Sequence, residues 1–302
     1  MKRYFCLSLV LLCISLCLSA RDLTVATFNM RYANQGDAAK GYGWDKRLPK
    51  ICDMIQLHDF DIFGAQEITA PMRKDLLACL PGFNSLGVCR DDGADKGEAS
   101  PIFWNTEKLE LLEGGTFWLS ETPDVPSKSW DSSLPRVMSY GHFKVRETGY
   151  TFWFFNTHFD HRGHQARLES VKLIRKKIAE LAGKEAFFIT GDLNCDQHSE
   201  EYQQLCQIPR ARDSYEVAEF RSAWHGTANN FESDTVTDSR FDYVFSSDGF
   251  RVRKYGILTD CYKDKFDGRK ITLQNFPEEI VFTKAIVRFP SDHYPVMVKV
   301  EY

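Results

Sequence analysis

FWFFNTHFDHRGHQARLESVKLIRKKIAELAGKEAFFITGDLN, residues 152–194, decides the fold. It opens on four aromatic residues, Phe152-Trp153-Phe154-Phe155. From Gln165 to Leu181, apolar residues Leu168, Val171, Ile174, Ile178 and Leu181 recur at three or four residues, the spacing of an amphipathic helix, and Gly183 follows as a stop. A second apolar run, Ala186-Phe187-Phe188-Ile189-Thr190, closes the stretch. Strands that are apolar throughout are buried on both faces, as in sheets packed between helices.

The same reading extends outward. Leu23–Phe28, Ile62–Ala65, Phe241–Phe245 and Val296–Val300 are further short apolar strands. A second helix is expected over Leu48–Leu57, with Leu48, Ile51 and Ile55 inward, and a third from Pro71. Strands, helices and long polar loops alternate irregularly, so the expected class is α+β with mixed sheets in layers. No fixed-period repeat or low-complexity linker divides the chain.

The chain has 302 residues, 43% hydrophobic and 26% charged, enough for a large core and unlike a disordered segment. Its net charge of −4 argues against salt-driven coating of nucleic acid or an anionic membrane. Residues 1–20 read as a cleaved export signal: Lys2 and Arg3, an apolar run over Leu7–Leu18, then Ser19-Ala20. That run is too short to span a bilayer, so export without a transmembrane segment is expected, leaving a domain over 21–302. Removal takes three of nine cysteines and leaves 36 basic against 42 acidic residues. Cys52, Cys79, Cys89, Cys195, Cys206 and Cys261 remain, without a CxxC pair. They are expected to be mostly buried free thiols with at most one bridge.

Polar residues gather where the apolar strands end. Asn29 follows Thr27-Phe28, and Glu67 follows Ala65-Gln66. Asn156-Thr157-His158-Phe159-Asp160-His161 follows Phe155, and Gly191-Asp192-Leu193-Asn194 follows Thr190. Asp242 sits in Phe241-Asp242-Tyr243, and Ser291-Asp292-His293 precedes the last strand. Singly, each is an ordinary turn or cap. Together they set carboxylates, amides and imidazoles beside buried strands, where such groups need partners or a metal.

These signatures, in this order, resemble the endonuclease/exonuclease/phosphatase superfamily of metal-dependent phosphoesterases, over about Leu23 to Val300. Gly97-Glu98 with Pro101-Ile102-Phe103-Trp104 also looks like a family segment. The resemblance implies a four-layer α/β/β/α sandwich of two mixed β-sheets, with the site on one edge. It implies Mg2+, with Mn2+ as the alternative ion, held by Glu67 with Asn29 and Asp292. His293 is then the leading general base, its tautomer fixed by Asp242. Asp192 would orient or deprotonate the water, and the sequence leaves open which of the two takes the proton. Asn194 and His158 would donate to phosphoryl oxygens.

Arg90, Glu98, His161 and Arg162 are candidate substrate contacts, Arg90 because its fork fits phosphate oxygens. Trp118, Trp130 and Arg136 bracket the Thr122–Pro126 stretch, which reads either as an aromatic rim for a base or sugar or, the preferred reading, as packing. Cys195 is read as a packing residue. The expected function is hydrolysis of a phosphodiester or phosphomonoester by in-line attack of water. A non-catalytic binding protein of the same fold is the rival, set back because the proposed catalytic set is whole. A secreted nuclease or a sphingomyelinase-like lipid phosphodiesterase also fits the chemistry. The acidic balance argues against a stable nucleic-acid complex, and no membrane-inserting segment stands out. The expected partner is a phosphate-ester substrate; its identity and the oligomeric state stay open.

Overall fold

The computed structural model describes residues 21–277 and 279–302. The segment read as an export signal, 1–20, lies outside the described residues. Along the chain run β1 (Asp22–Asn29), α1 (Gln35–Ala39), α2 (Trp44–Leu57), β2 (Ile62–Gln66), α3 (Ala70–Cys79), β3 (Phe83–Leu86), β4 (Ile102–Asn105), β5 (Leu109–Trp118), β6 (Val137–Val145), β7 (Thr151–His158), α4 (His164–Leu181), β8 (Ala186–Asp192), α5 (Glu200–Cys206), β9 (Ala211–Asp213), α6 (Ser214–Val217), β10 (Phe220–Ser222), β11 (Asp242–Ser247), β12 (Arg251–Ile257), β13 (Tyr262–Ile271), β14 (Phe282–Arg288) and β15 (Val296–Glu301).

Two sheets result, ordered β10-β12-β15-β1-β2-β4-β3 and β5-β6-β7-β8-β11-β9, with β13 and β14 as a separate ribbon. Both are mixed: β1 and β2 run parallel, as do β7 and β8, while most other pairs are antiparallel. Period-two alternation splits each central strand between two cores. Leu23 and Val25 of β1, Phe152 and Phe154 of β7, Phe188 of β8 and Val298 of β15 meet between the sheets. Ala26, Phe28 and Phe63 face outward onto Ile51 and Ile55 of α2 and Met72 and Leu76 of α3. On the other side Trp153, Phe155, Phe187 and Tyr243 meet Val171, Ile174 and Ile178 of α4. The layers are therefore α/β/β/α, the expected architecture.

The alternation has a second consequence. Near one edge of the sandwich the inter-sheet face turns polar: Thr27, Gln66, Asn156 and Thr190 are fully buried there. Gln66 Nε2 donates to Thr27 Oγ1 at 3.0 Å and to Asn156 Oδ1 at 2.7 Å. Thr190 Oγ1 donates to Asn156 Oδ1 at 3.0 Å, and Asn156 Nδ2 donates to the carbonyls of Ala65 and Pro101. Four strands from two sheets are thereby fixed in depth and register. Gly64 is required beside this network, because a Cβ there would overlap the Asn156 amide oxygen and the Thr190 hydroxyl. Asn156, met in the sequence as part of a catalytic signature, is a sheet-to-sheet tie.

Boundaries differ from expectation at a few places. α2 begins at Trp44 rather than Leu48 and carries Pro49 inside, since Trp44 and the buried Arg47 extend its packed face N-terminally. β5 and β6 had no apolar run to betray them; β6 alternates buried and half-buried residues at the sheet margin. The six cysteines from Cys52 to Cys261 are free: Cys52, Cys89 and Cys195 are buried, Cys206 and Cys261 exposed. Among the described residues no helix is long and apolar enough to cross a membrane.

Candidate active site

The inner faces of β7, β8 and β11 end in a row. His158 pairs with Asp192 across β7 and β8, and Asp192 with Asp242 across β8 and β11. Across the sandwich, Asn29 ends β1 and Glu67 follows β2, and Asn29 joins the two sides. Its Nδ2 donates to Asp192 Oδ2 at 2.9 Å and to Glu67 Oε1 at 3.1 Å. Ser291 Oγ donates to the Asn29 carbonyl at 2.7 Å, which brings the Asp292-His293 loop onto the same edge. Arg47, fully buried beneath, donates to the carbonyls of Met30, Arg31, Tyr42 and Pro290, tying that loop to the end of β1. Arg31, Glu67 and Asn194 all hold left-handed backbone conformations, with φ of 52°, 62° and 45°. Such strain persists where the surroundings impose it, often at functional sites.

These groups line one cleft of ≈ 390 Å³, bounded by Arg31, Tyr32, Glu67, Arg90, Glu98, Leu134, Arg136, His158, His161, Asp192, Asn194, Asp292 and His293. Nine of the candidates named from sequence are in that lining, and Asn29 and Asp242 stand buried directly behind it. Arg162 is not brought in: its side chain is exposed, and only its backbone is engaged, donating to Asp160 Oδ1 at 3.1 Å. Asp160 also accepts from Ser133, Leu134 and Gly163, so it clamps two loops at the rim.

The polar contacts fix protonation. His293 Nδ1 donates to Asp242 Oδ2 at 2.8 Å, leaving Nε2 toward Asp192 Oδ2 at 3.8 Å. Burial disfavours a charge on His293, but Asp242 and then Asp192 outweigh it and hold its pKa well above that of free imidazole. Burial pushes the Asp192 carboxyl up to about 6, with Asp242 adding to the rise and His293 and Asn29 opposing it. Asn194 Nδ2 donates to the Phe159 carbonyl at 3.0 Å and faces His158 Nε2 at 3.0 Å. The carbonyl fixes the amide orientation, so His158 Nε2 accepts here and Nδ1 carries the proton. Burial, then Arg136 and Arg90, keeps His158 neutral, its pKa well below the usual value.

Two acidic groupings bear on a metal. Asp192, Asp242 and His293 offer ligand atoms within 4.8 Å of one another. The Asp242–His293 hydrogen bond occupies two of those groups, which reads as an oriented imidazole. Glu67 and Asp292 form the other grouping. Burial raises the Asp292 carboxyl and Glu67 raises it further, with Arg31 Nη1 at 3.5 Å as a partial counter-charge. Crowded, half-buried oxygen donors of this kind fit a hard divalent cation.

Four lining residues, Arg31, Tyr32, Leu134 and Arg136, are not among the candidates named from sequence, and two of them carry charge. Arg31 lies in a loop just past a strand end, and Arg136 was grouped with Trp118 as packing. Trp118 does pack, its Nε1 donating to the Arg90 carbonyl at 2.7 Å. Arg136 instead reaches the cleft, where its Nη2 donates to His161 Nδ1 at 3.1 Å. An arginine beside prolines in a long loop carries no periodic signal that would have placed it.

Comparison with known proteins agrees with this geometry. The model of the Endonuclease/Exonuclease/phosphatase family matches residues 26–293. A solved structure of a Bacteroides thetaiotaomicron mannosyl-6-phosphatase is 46% identical, covers 93% of this chain and 100% of its own, and superposes with a TM-score of 0.86. A family protein from Bacteroides vulgatus is 32% identical over 93% of this chain and 98% of its own, with a TM-score of 0.80. An uncharacterised protein of Acanthamoeba polyphaga mimivirus is 27% identical over 277 residues, 85% of this chain and 92% of its own.

Proposed function

This chain belongs to the endonuclease/exonuclease/phosphatase family, and from that premise we propose that it is an exported, divalent-metal-dependent phosphoesterase that removes the phosphate from a phosphorylated sugar. The observation that carries the reading is the convergence of Glu67, Asp192, Asn194, Asp242 and His293 on one cleft edge, through hydrogen bonds between segments far apart in sequence. A retired enzyme has no reason to keep Asp242 fully buried against His293. The sugar phosphate is proposed from the 46% identical mannosyl-6-phosphatase. Export is proposed from the basic start and apolar run of residues 1–20.

Glu67, with Asp292 and Asn29, would hold the cation. Bound there, a divalent ion polarises a phosphoryl oxygen and acidifies water. Asp192, held by Asn29 and the Asn194 backbone N–H, accepts the proton of the attacking water. His293, kept protonated by Asp242, donates from Nε2 to a phosphoryl oxygen as charge builds on it. Attack opposite the sugar oxygen forms one P–O bond and breaks another. The sugar alkoxide departs and is protonated from solvent water, Asp192 returns its proton to solvent, and inorganic phosphate is left.

The test is a substrate panel with Mg2+: mannose 6-phosphate, a chromogenic phosphodiester, RNA and sphingomyelin, read as phosphate, nitrophenolate, nucleotide or phosphocholine release. Fastest turnover on the sugar phosphate is expected. Faster hydrolysis of RNA or sphingomyelin would remove the substrate assignment, and inertness toward all four would remove the activity.

A further inference from the structure

The mechanism above leaves one part of the cleft without a task. Arg90 and Arg136 line it together with Asp192 and His293, yet are only 8% and 4% exposed. Arg90 Nη1 donates to Glu98 Oε2 at 2.9 Å. Among the described residues the carboxylate in ion-pair contact with Arg136 is Asp160, 3.4 Å from its Nε and already shared among Ser133, Leu134, Arg162 and Gly163, while Glu98 and Asp192 act on it from farther away. Arg90 Nε and Arg136 Nη1 are buried with no acceptor among the described residues. Each arginine opposes a positive charge on His158, and Arg90 opposes one on Arg136, so all three groups share one neighbourhood. Glu98 and Asp160, with Asp91 Oδ1 3.9 Å from Arg90 Nε, balance the two charges, but the buried Arg90 Nε and Arg136 Nη1 donors are left without a hydrogen-bond acceptor, which an entering anion would supply.

Resting on the phosphoesterase reading, we infer that Arg90 and Arg136 form an anion subsite for the additional charged oxygen of a terminal phosphate, and so select phosphate monoesters over diesters. At neutral pH a monoester is close to a dianion with three non-bridging oxygens, whereas a diester is a monoanion with two. Arginine forks match such oxygens in pairs. In a diester, an alkyl or nucleoside group stands where the third oxygen would be, and the unmatched donors then penalise it. The subsite is built in advance: Trp118 holds the Arg90 carbonyl, and the Arg90 backbone N–H donates to the Glu98 carbonyl at 2.9 Å.

Arg90→Met and Arg136→Met, with Arg136→Lys as the charge-keeping control, test this with 4-nitrophenyl phosphate and bis(4-nitrophenyl) phosphate in Mg2+. Each Met variant is expected to lose on the order of 100-fold in monoester kcat/KM, as for removal of one charge-stabilising donor. The diester should suffer far less, so that the monoester-to-diester ratio falls at least tenfold, with Arg136→Lys between. Equal losses on both substrates, or a wild type that prefers the diester, would overturn the inference. Inorganic phosphate titrated calorimetrically into each folded protein separates the two readings. The wild type should bind it more tightly than either Met variant even if no ester is turned over, and equal affinity in all of them removes the subsite whatever the activity.

Discussion

Replacing Asp242 by asparagine is expected to lower kcat by 10²–10³-fold while leaving the fold intact. Asp242 is fully buried, its Oδ2 accepts from His293 Nδ1 at 2.8 Å, and its Oδ1 has no partner among the described residues. An asparagine has two ways to sit there. With its oxygen toward His293, its NH₂ takes the place of the unpartnered Oδ1, an unsatisfied buried donor worth about 1–3 kcal/mol. With its NH₂ toward His293, Nδ1 must accept, which forces the neutral tautomer carrying its proton on Nε2. In both cases the charge that holds His293 protonated is gone. The first orientation removes the Nε2 donor and the second leaves it uncharged; losing a donor to the developing phosphoryl charge costs about 2.7–4 kcal/mol, which bounds the effect, and each 1.36 kcal/mol is tenfold in rate. The assay is steady-state release of phosphate at saturating Mg2+, with circular dichroism and thermal melting as fold controls. KM should move little, because Asp242 stands behind the cleft and not in its lining. A folded Asp242→Asn protein within about fivefold of wild-type kcat would refute the assignment of His293 as a charged donor oriented by Asp242.

Two further outcomes concern how the site is built. Asp160→Asn keeps one acceptor oxygen but turns an amide toward Ser133, Leu134 and Arg136, and should destabilise the protein by about 2–3 kcal/mol at pH 7 in urea unfolding. Burial alone would raise the Asp160 carboxyl, but hydrogen bonds from Gly163, Ser133 and Arg162 hold it well below the usual carboxylate range. Its contribution is therefore complete above about pH 4, the unfolded value, and is lost as pH falls below that, so the gap between variant and wild type should narrow in acid. Arg47→Met strands four carbonyls, three of them buried, that the guanidinium now satisfies. It should destabilise by about 3–5 kcal/mol and reduce activity in whatever fraction folds, since the Pro290–His293 loop loses its anchor; unchanged thermal stability would contradict this.

The fold was legible wherever strands are buried on both faces. Phe152–Phe155, Ala186–Thr190 and Val296–Val300 announced themselves, because a strand between two packed layers needs apolar residues on each side. β5, β6, β13 and β14 did not, since marginal or ribbon strands alternate or are exposed and look like loop in sequence. The site was legible for a related reason. Asn29, Glu67, His158, Asp192 and Asp242 stand where an apolar run breaks into polarity, and that break is visible along the chain. Arg31 and Arg136 sit in loops with no such contrast, and their place in the cleft depends on tertiary contacts such as those of Asp37 and Asp160. The Asn156 signature misled in a specific way: a polar residue at the polar end of a strand can tie two sheets together one residue pair below the chemistry.

The most direct measurement is phosphate release from mannose 6-phosphate by the purified full chain in Mg2+, in excess chelator, and in Mg2+ with Asp192→Asn. Turnover in Mg2+ that vanishes with chelator, returns when Mg2+ is restored, and falls at least 10³-fold in the variant is what a cation at Glu67 and a proton acceptor at Asp192 require. Equal release with chelator present, or from Asp192→Asn, would contradict the account at its centre.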